Sequence, residues 1–191
     1  GAHSFAHFDF KIPDLDADYF ATSLHKWLYA PIGTGMLYVK KQNIKNLYPL
    51  FGAPDDPLKD DIRKFEHLGT RPFYIEQAIG KAIEFHEMIG IERKQARLRY
   101  LKNYWMERVK DLPGIKLHTS THPDWACAIG MLSVEGKKSV DLDRFLLDKF
   151  KVHTVSIEWE NIRGVRVTPN VYTTTKNLDV LVEGVRKFVT S

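Results

Sequence analysis

The sequence contains one short segment whose residue types and spacing suit catalysis, a lysine preceded by two hydrogen-bond donors. The segment is Ser23-Leu24-His25-Lys26. A lysine becomes a nucleophilic amine when its pKa is lowered or its charge is offset by neighbours. In an extended chain Ser23 and His25 point the same way, and both can donate hydrogen bonds to a phosphate. The pattern alone also fits a solvated surface lysine, so the surrounding elements must decide between the two interpretations.

Two short apolar segments bracket this group. Residues 18–24 and 34–40 have the composition of short strands. Between them Pro31 and Gly33 mark a turn. A lysine at the mouth of a polar loop between two strands predicts a site at a strand end.

Four motifs then follow in order along nearly the whole chain. They are Gly-Ala-His at 1–3, Ser-x-His-Lys at 23–26, Phe-Glu-x-x-Gly-Thr at 65–70 and Gly-Val-Arg-Val-Thr-Pro-Asn-Val-Tyr-Thr-Thr at 164–174. Asp-Tyr-Phe precedes the second motif and Ala-Pro-x-Gly-x-Gly follows it. Together the motifs resemble the class-V aminotransferases, fold-type I enzymes that use pyridoxal 5'-phosphate. The family includes cysteine desulfurases, kynureninase and isopenicillin N epimerase-like proteins, and the last motif resembles the epimerase-like branch most.

The resemblance implies a role for each matching residue. Lys26 is implied to bind pyridoxal phosphate as a Schiff base and to act as the proton-shuttling base. His3 is implied to lie near the cofactor ring, and Ser23 and His25 to hold its phosphate. Thr70 is implied to reach the phosphate of the neighbouring subunit. Arg166 is implied to bind the substrate α-carboxylate through its planar guanidinium.

Other interpretations remain open for several of these residues. His3 could be a frayed terminal residue, and Thr70 could only cap the helix that begins near Pro72. Arg163 competes with Arg166 for the carboxylate, although Arg166 is the motif position. Trp27 and Tyr29 are interpreted as packing residues. The remaining histidines lack metal-ligand spacing, which predicts no metal site, and are interpreted as surface or core residues: His7, His67, His86, His118, His122 and His153.

The sequence departs from the family pattern at its start. The aspartate that pairs with the pyridine nitrogen in the family belongs immediately before Gly1. The upstream half of the large domain would supply the ring-stacking aromatic residue and most early phosphate contacts. We therefore expect this chain to be a fragment that holds the cofactor poorly and is inactive alone.

A second departure concerns sulfur chemistry. A cysteine desulfurase needs a reactive cysteine on a mobile loop before the C-terminal arginine motif. Here residues 155–162 contain no cysteine. The single cysteine, Cys127, lies in an apolar segment, where a thiol is typically inert. The sequence therefore argues against desulfurase or selenocysteine lyase activity.

The rest of the chain alternates helices and strands. Apolar spacing predicts a helix from Pro72, with a stripe at Ile75, Ala78, Ile79, Ala82, Ile83 and Phe85, and a break at Gly90. A second helix is predicted over 91–110, with Leu98, Leu101, Trp105 and Val109 inward. Strands are predicted over 115–118, 126–134, 152–157 and 164–168, and helices over 142–150, with Asp141 as N-cap, and 178–189.

These elements predict an α/β chain: the C-terminal part of a fold-type I large domain followed by a small α+β C-terminal domain. The expected division is 1–72 for the remnant of the cofactor-binding domain and 73–191 for the small domain. Residues 41–72 are expected to be loop-rich because prolines, glycines and aspartates recur there.

Composition is that of a soluble globular protein, with 43% hydrophobic and 27% charged residues and a net charge of +4. The densest positive group, Arg93, Lys94, Arg97, Arg99 and Lys102, falls on a helical pattern with glutamates nearby, so a solvated helix face is expected. A sustained basic stripe with interleaved aromatics is absent, and no apolar run is long enough to span a bilayer. We expect no nucleic-acid or membrane partner and, since one cysteine permits no internal disulfide, a reducing, cytoplasmic compartment.

The resemblance thus implies an amino-acid transaminase or isopenicillin N epimerase-like enzyme whose sites form at a homodimer interface. The alternative is a non-catalytic folded fragment or dimerisation module without pyridoxal phosphate. Transamination, epimerisation and elimination share the same lysine and arginine, so the sequence leaves the reaction and substrate open.

Overall fold

The computed structural model describes residues 1–50, 59–66 and 69–190. His67 and residues 51–58 of the expected loop-rich stretch lie outside the described residues. The chain divides into two compact units, Gly1–Ile91 and Glu92–Ser191. The division expected at residue 72 stays a prediction.

The first unit contains a two-stranded antiparallel sheet of β1 (Tyr19–Ser23) and β2 (Gly35–Val39). Both predicted strands are confirmed, each slightly shorter than expected. The turn before β2 needs a left-handed residue, which Gly33 supplies with φ 93°. The short helix α1 (Lys41–Ile44) and 3-10 turns at Ile12–Leu15 and Ile62–Phe65 complete the part before the long helix.

Helix α2 (Phe73–Ile89) begins directly after Pro72 and ends at Gly90, whose φ is 80°. Both boundaries agree with the sequence prediction. Of the apolar stripe that predicted this helix, Ala82 is buried, while Ile83 and Phe85 are exposed. The buried cluster of this unit is correspondingly small: Leu24, Leu28, Ala30 and Ala82.

The second unit is a four-stranded antiparallel sheet with helices on one face. Its elements are α3 (Ile91–Val109, which begins at the unit boundary), β3 (Ile115–Leu117), β4 (Gly130–Val134), α4 (Ser139–Phe150), β5 (Val155–Trp159), β6 (Ile162–Val167) and α5 (Thr175–Thr190). The strand order is β3-β4-β6-β5. All predicted elements are present, with shifted ends: β4 begins at Gly130, four residues later than expected. The N-cap of α4 is Lys138, so the expectation for Asp141 is wrong, although its carboxylate in the first turn still suits the helix dipole.

One continuous core joins this sheet to α3, α4 and α5. Leu132 and Val165 are register partners on the helix-covered face of the sheet, and both have no exposed surface. The fully buried Trp105 packs so closely on β4 that a Cβ at Gly130 would lie 2.5 Å from its ring. Leu98, Leu101 and Val109 are also fully buried, which confirms the predicted inward face of α3.

The expected solvated face of positive residues on α3 is wrong for two of its five members. Lys94 and Lys102 are completely buried, and the Lys102 ammonium donates a hydrogen bond to the Ser120 carbonyl. Burial lowers the pKa of Lys94 to about 8 and also lowers the pKa of Lys102. The spacing of the charged residues is typical of a helix, but it does not reveal that Lys94 and Lys102 on the polar side of α3 are buried.

No helix within the described ranges is long and apolar enough to cross a bilayer. In the same ranges, no three histidine, cysteine or acidic side chains converge as metal ligands would.

Candidate active site

The loop between β1 and β2 positions the predicted cofactor lysine. Leu24 N donates to the Thr34 carbonyl at 3.0 Å, and Ala30 N donates to the Leu24 carbonyl at 3.2 Å, so the loop is closed by its own backbone. Leu24 and Trp27 are buried, whereas Ser23, His25 and Lys26 are half-buried. The loop therefore anchors itself by apolar side chains and leaves the polar ones accessible.

Lys26 lies beside His3. The Lys26 Nζ and His3 Nε2 atoms are 3.4 Å apart, so an ammonium at Lys26 can donate a hydrogen bond to a neutral His3 ring. The segment that carries His3 is tied down, because the Gly1 amino group donates to the Ala21 carbonyl at 2.8 Å and Ser4 N donates to the Gly1 carbonyl at 3.0 Å. Two groups that the resemblance assigns to one cofactor are thus neighbours.

His25 is oriented by the opposite end of the loop. Its Nδ1 lies 3.2 Å from the Thr34 carbonyl, which can only accept, so Nδ1 carries a proton. Nε2 can then donate to an anion only when the ring is doubly protonated. A phosphate at Nε2 would accept the hydrogen bond that this second N–H donates.

The chemistry of these donors fits pyridoxal phosphate. The Ser23 hydroxyl, at the end of β1 opposite Gly35, and His25 suit a phosphate. The amine of Lys26 suits an aldehyde. A separate apolar cavity of about 500 Å³, lined by Phe5, Leu24 and Ile79 among others, does not include Ser23, His25 or Lys26.

Thr70 stands apart from this group. It is exposed and follows Gly69, whose φ is 71°, in the segment before α2. Within the described ranges, its side chain makes no hydrogen bond to the other predicted site residues. Residues 67–68 of its motif lie outside the described residues.

Arg166 belongs to the second unit, where it is the next-to-last residue of β6 and lies opposite Met131 of β4 and Val155 of β5. It lies between the core residues Val165 and Val167, so its side chain leaves the sheet on the face opposite the helices. Its Nε atom is buried and, among the residues described, has no hydrogen-bond partner. Such a donor is what a substrate carboxylate would satisfy. Arg163 points to the other face, in register with Glu158.

The thiol of Cys127 is buried, and burial raises its pKa to about 11 in spite of the positive charges of Arg99, Lys102 and Lys94. Residues 155–162 form the hairpin of β5 and β6, closed by Glu160 and Asn161 with φ 50° at Glu160. The stretch in which the resemblance would place a desulfurase's reactive cysteine is therefore a β-hairpin with a two-residue turn here.

Two contacts to this group escaped the sequence prediction. Thr34 serves it through a backbone carbonyl, which any residue could supply, so its identity gave no signal. His7 bonds to the backbone of His3 and stacks on Trp27, the residue after Lys26. The spacing of four between His3 and His7 was the available signal, and it was too common to interpret.

Residues 1–179 match the family model described as "Aminotransferase class-V". The chain is 27% identical over 201 residues to the isopenicillin N epimerase of Streptomyces clavuligerus, covering 96% of this chain and 50% of that protein. It is 29% identical over 161 residues to the cysteine desulfurase of Wigglesworthia glossinidia brevipalpis, covering 80% and 38%. The chain thus spans about half the length, or less, of these curated relatives.

Solved structures agree in fold. The apo cysteine desulfurase of Thermococcus onnurineus NA1 superposes with a TM-score of 0.83 at 21% identity, covering all of this chain and 51% of that one. A variant cystine C-S lyase with glycine covalently linked to its pyridoxal phosphate superposes with a TM-score of 0.80 at 17% identity, covering 97% and 50%. The predicted fold-type I fold is confirmed, and the likeness covers about half of each of these solved chains.

Proposed function

The chain belongs to the class-V aminotransferase family, and on that basis we propose that it forms part of a pyridoxal phosphate-dependent enzyme acting on an amino acid, as a transaminase or an isopenicillin N epimerase-like enzyme. The observation that carries this proposal is the 3.4 Å approach of Lys26 Nζ to His3 Nε2, in a loop that also presents Ser23 and His25. This arrangement puts an amine, a neighbouring base and two anion donors at one strand end.

When bound, the cofactor supplies an electron sink for the electron pair left at the substrate α-carbon. The described residues of this chain would contribute the following contacts. The Ser23 hydroxyl and the Nε2–H of His25 would hold the phosphate, while the Thr34 carbonyl fixes the orientation of the His25 ring through Nδ1. Lys26 Nζ would bind the aldehyde and move the α-proton, and His3, whose Nε2 lies 3.4 Å from that nitrogen, could exchange a proton with it.

Two further residues act on the substrate and on the partner subunit in this proposal. Arg166 binds the α-carboxylate, which supplies an acceptor for its buried Nε atom. Thr70 is exposed, so its hydroxyl can serve the phosphate of a second subunit in a homodimer.

We further propose that the reaction is not desulfuration. Persulfide formation needs a thiolate that can reach the substrate, and the pKa of the buried Cys127 thiol, about 11, leaves almost none at neutral pH. The tight turn at Glu160 and Asn161 carries no cysteine either. Likeness to cysteine desulfurases therefore supports the fold and the cofactor, and the missing nucleophile favours the epimerase or transaminase branch.

Reductive trapping tests the cofactor assignment. The protein is mixed with pyridoxal phosphate, reduced with borohydride at successive times and mapped by peptide mass spectrometry. Lys26 should be labelled before the exposed Lys11, and Lys26→Ala should remove the fast phase, while Lys11→Ala should keep it. Equal labelling rates at Lys26 and Lys11 would contradict the assignment.

A further inference from the structure

A buried histidine lies directly behind the candidate cofactor lysine. The His7 imidazole stacks on the Trp27 indole with ring centroids 3.8 Å apart and ring planes 6° from parallel. Each residue exposes only 3% of its surface. Trp27 follows Lys26 in the chain, so the stack fixes the backbone immediately after the amine-bearing residue.

The edge of the His7 ring contacts the backbone of His3. His7 Nδ1 lies 2.8 Å from the His3 carbonyl oxygen. Because a carbonyl only accepts, Nδ1 must carry the proton and donate it. His7 N also donates to the Ser4 carbonyl at 3.0 Å, and Ala6 adopts a left-handed φ of 57° between them. The strained turn thereby brings the His7 ring back over the residue that contacts Lys26.

These contacts connect four residues in a ring that includes the Lys26 amine. His7 bonds to His3, His3 approaches Lys26, Lys26 is joined to Trp27, and Trp27 stacks on His7. We propose that His7 is a positioning residue: through its Nδ1–H bond to the His3 carbonyl it holds the His3 imidazole against Lys26 Nζ, and so sets the rate at which that amine reacts with an aldehyde. The proposal rests on the proposed function for the role of Lys26.

Only a histidine combines both contacts of this residue. A phenylalanine at position 7 can keep the stack on Trp27 but has no donor. An asparagine places an N–H close to where Nδ1 lies and so keeps the bond to His3, but it loses the ring. The two substitutions therefore separate the hydrogen bond from the packing.

The test measures the rate at which pyridoxal phosphate is reductively trapped on Lys26, in the unmodified protein and in His7→Phe, His7→Asn and the control His86→Asn on α2. His7→Phe should slow Lys26 labelling about fivefold, the factor expected for loss of one hydrogen bond. His7→Asn and His86→Asn should retain most of the rate. Unchanged labelling in His7→Phe, or equal losses in His7→Phe and His7→Asn, would overturn the proposal.

Nitrogen NMR of the histidine side chains gives a readout that packing alone would not move. The unmodified protein should show His7 protonated at Nδ1, and the His3 ring resonances should shift in His7→Phe but not in His7→Asn. A His7 ring unprotonated at Nδ1, or His3 resonances that ignore both substitutions, would also overturn it. If Lys26 is labelled no faster than Lys11 in the unmodified protein, the proposed function fails, whereas the His3 resonances still decide whether His7 positions His3.

Discussion

The two compact units differ in how much core they possess and in how much chemistry they carry. The second unit joins three helices and four strands around one large cluster that includes Trp105, Leu132 and Val165 with no exposed surface. The first unit rests on a two-stranded sheet and a four-residue buried cluster within its described part. A two-stranded sheet is marginally stable by itself.

The chemistry-bearing loop lies in the weakly packed unit. Ser23, His25 and Lys26 are held by the backbone hydrogen bond from Leu24 N to the Thr34 carbonyl and by the buried side chains of Leu24 and Trp27. Helix α2 of the same unit leaves the apolar residues Phe73, Tyr74 and Met88 exposed. The strongly packed unit supplies a single candidate site residue, Arg166. The larger buried cluster and most of the candidate site residues therefore lie in different compact units of this chain.

The largest expected effect is on the core of the second unit. Trp105→Ala should lower the free energy of unfolding by about 3–5 kcal/mol, because it removes a fully buried indole and leaves a cavity. Urea denaturation followed by circular dichroism measures the loss. Trp159→Ala is the matched control, since Trp159 is 70% exposed and should change stability by less than about 0.5 kcal/mol. Similar losses in both variants would mean that the second unit is not the stable one.

The next largest expected effect is on substrate binding by Arg166, the candidate site residue that lies in the second unit. Arg166→Lys should weaken binding of an α-carboxylate by about 2–3 kcal/mol, because lysine cannot reproduce the two-point contact that an arginine Nε provides. The measurement is the dissociation constant for an amino acid, with glycine as the minimal probe. Arg163→Lys, on the opposite face of β6, should leave that constant unchanged. An equal loss for Arg163→Lys would remove the distinction between the two arginines.

What the sequence could predict follows the same division. The Lys26 loop was predictable because two short apolar strands and a Pro/Gly turn are local features, and Arg166 was predictable because it belongs to a contiguous motif. Trp105 and Leu98 were predictable as inward because helical spacing identifies an apolar face. Spacing does not identify what covers the other face, which is why Lys94 and Lys102 were expected in solvent.

The contacts of His3 were beyond local prediction. The His7 ring reaches the His3 carbonyl only because Ala6 takes a left-handed conformation, and alanine is not a residue that signals such a turn. The exposure of Ile83 and Phe85 was also unpredictable. An apolar stripe indicates which side of a helix is suited to packing, but it does not indicate whether other elements of the chain pack against that side.

The buried Lys94 should make the stability of the second unit depend on pH. Its pKa falls from 10.5 to about 8 on folding, because burial disfavours the charged amine. Between those values the unfolded chain binds the proton and the folded chain does not, so this lysine makes stability rise with pH. Below pH 8 the destabilisation is fully present, and Lys94→Met should then be more stable than the unmodified protein by on the order of 2 kcal/mol.

The advantage of Lys94→Met should shrink as pH rises from 8 and vanish near 10.5, the pKa in the unfolded chain. Urea unfolding at a series of pH values measures it. The exposed Lys116→Met is the control and should show a difference from the unmodified protein that does not vary with pH. A constant difference for Lys94→Met would show that the buried amine keeps its ordinary proton affinity.

The smallest expected effect tests whether the weakly packed unit still presents an ordered phosphate site. Ser23→Ala should slow reductive trapping of pyridoxal phosphate on Lys26 about fivefold, the loss of one hydrogen bond of ~1 kcal/mol, because a half-buried hydroxyl no longer reaches the phosphate. Trapping of pyridoxal, which lacks the phosphate, should not change, so the ratio of the two rates isolates the contact. Ser4→Ala, whose hydroxyl donates to the Gly1 carbonyl at 3.1 Å, should leave the ratio as it is. A ratio unaffected by Ser23→Ala would mean that the loop binds the aldehyde without gripping the phosphate, and that the small core of the first unit does not order the donors at the end of β1.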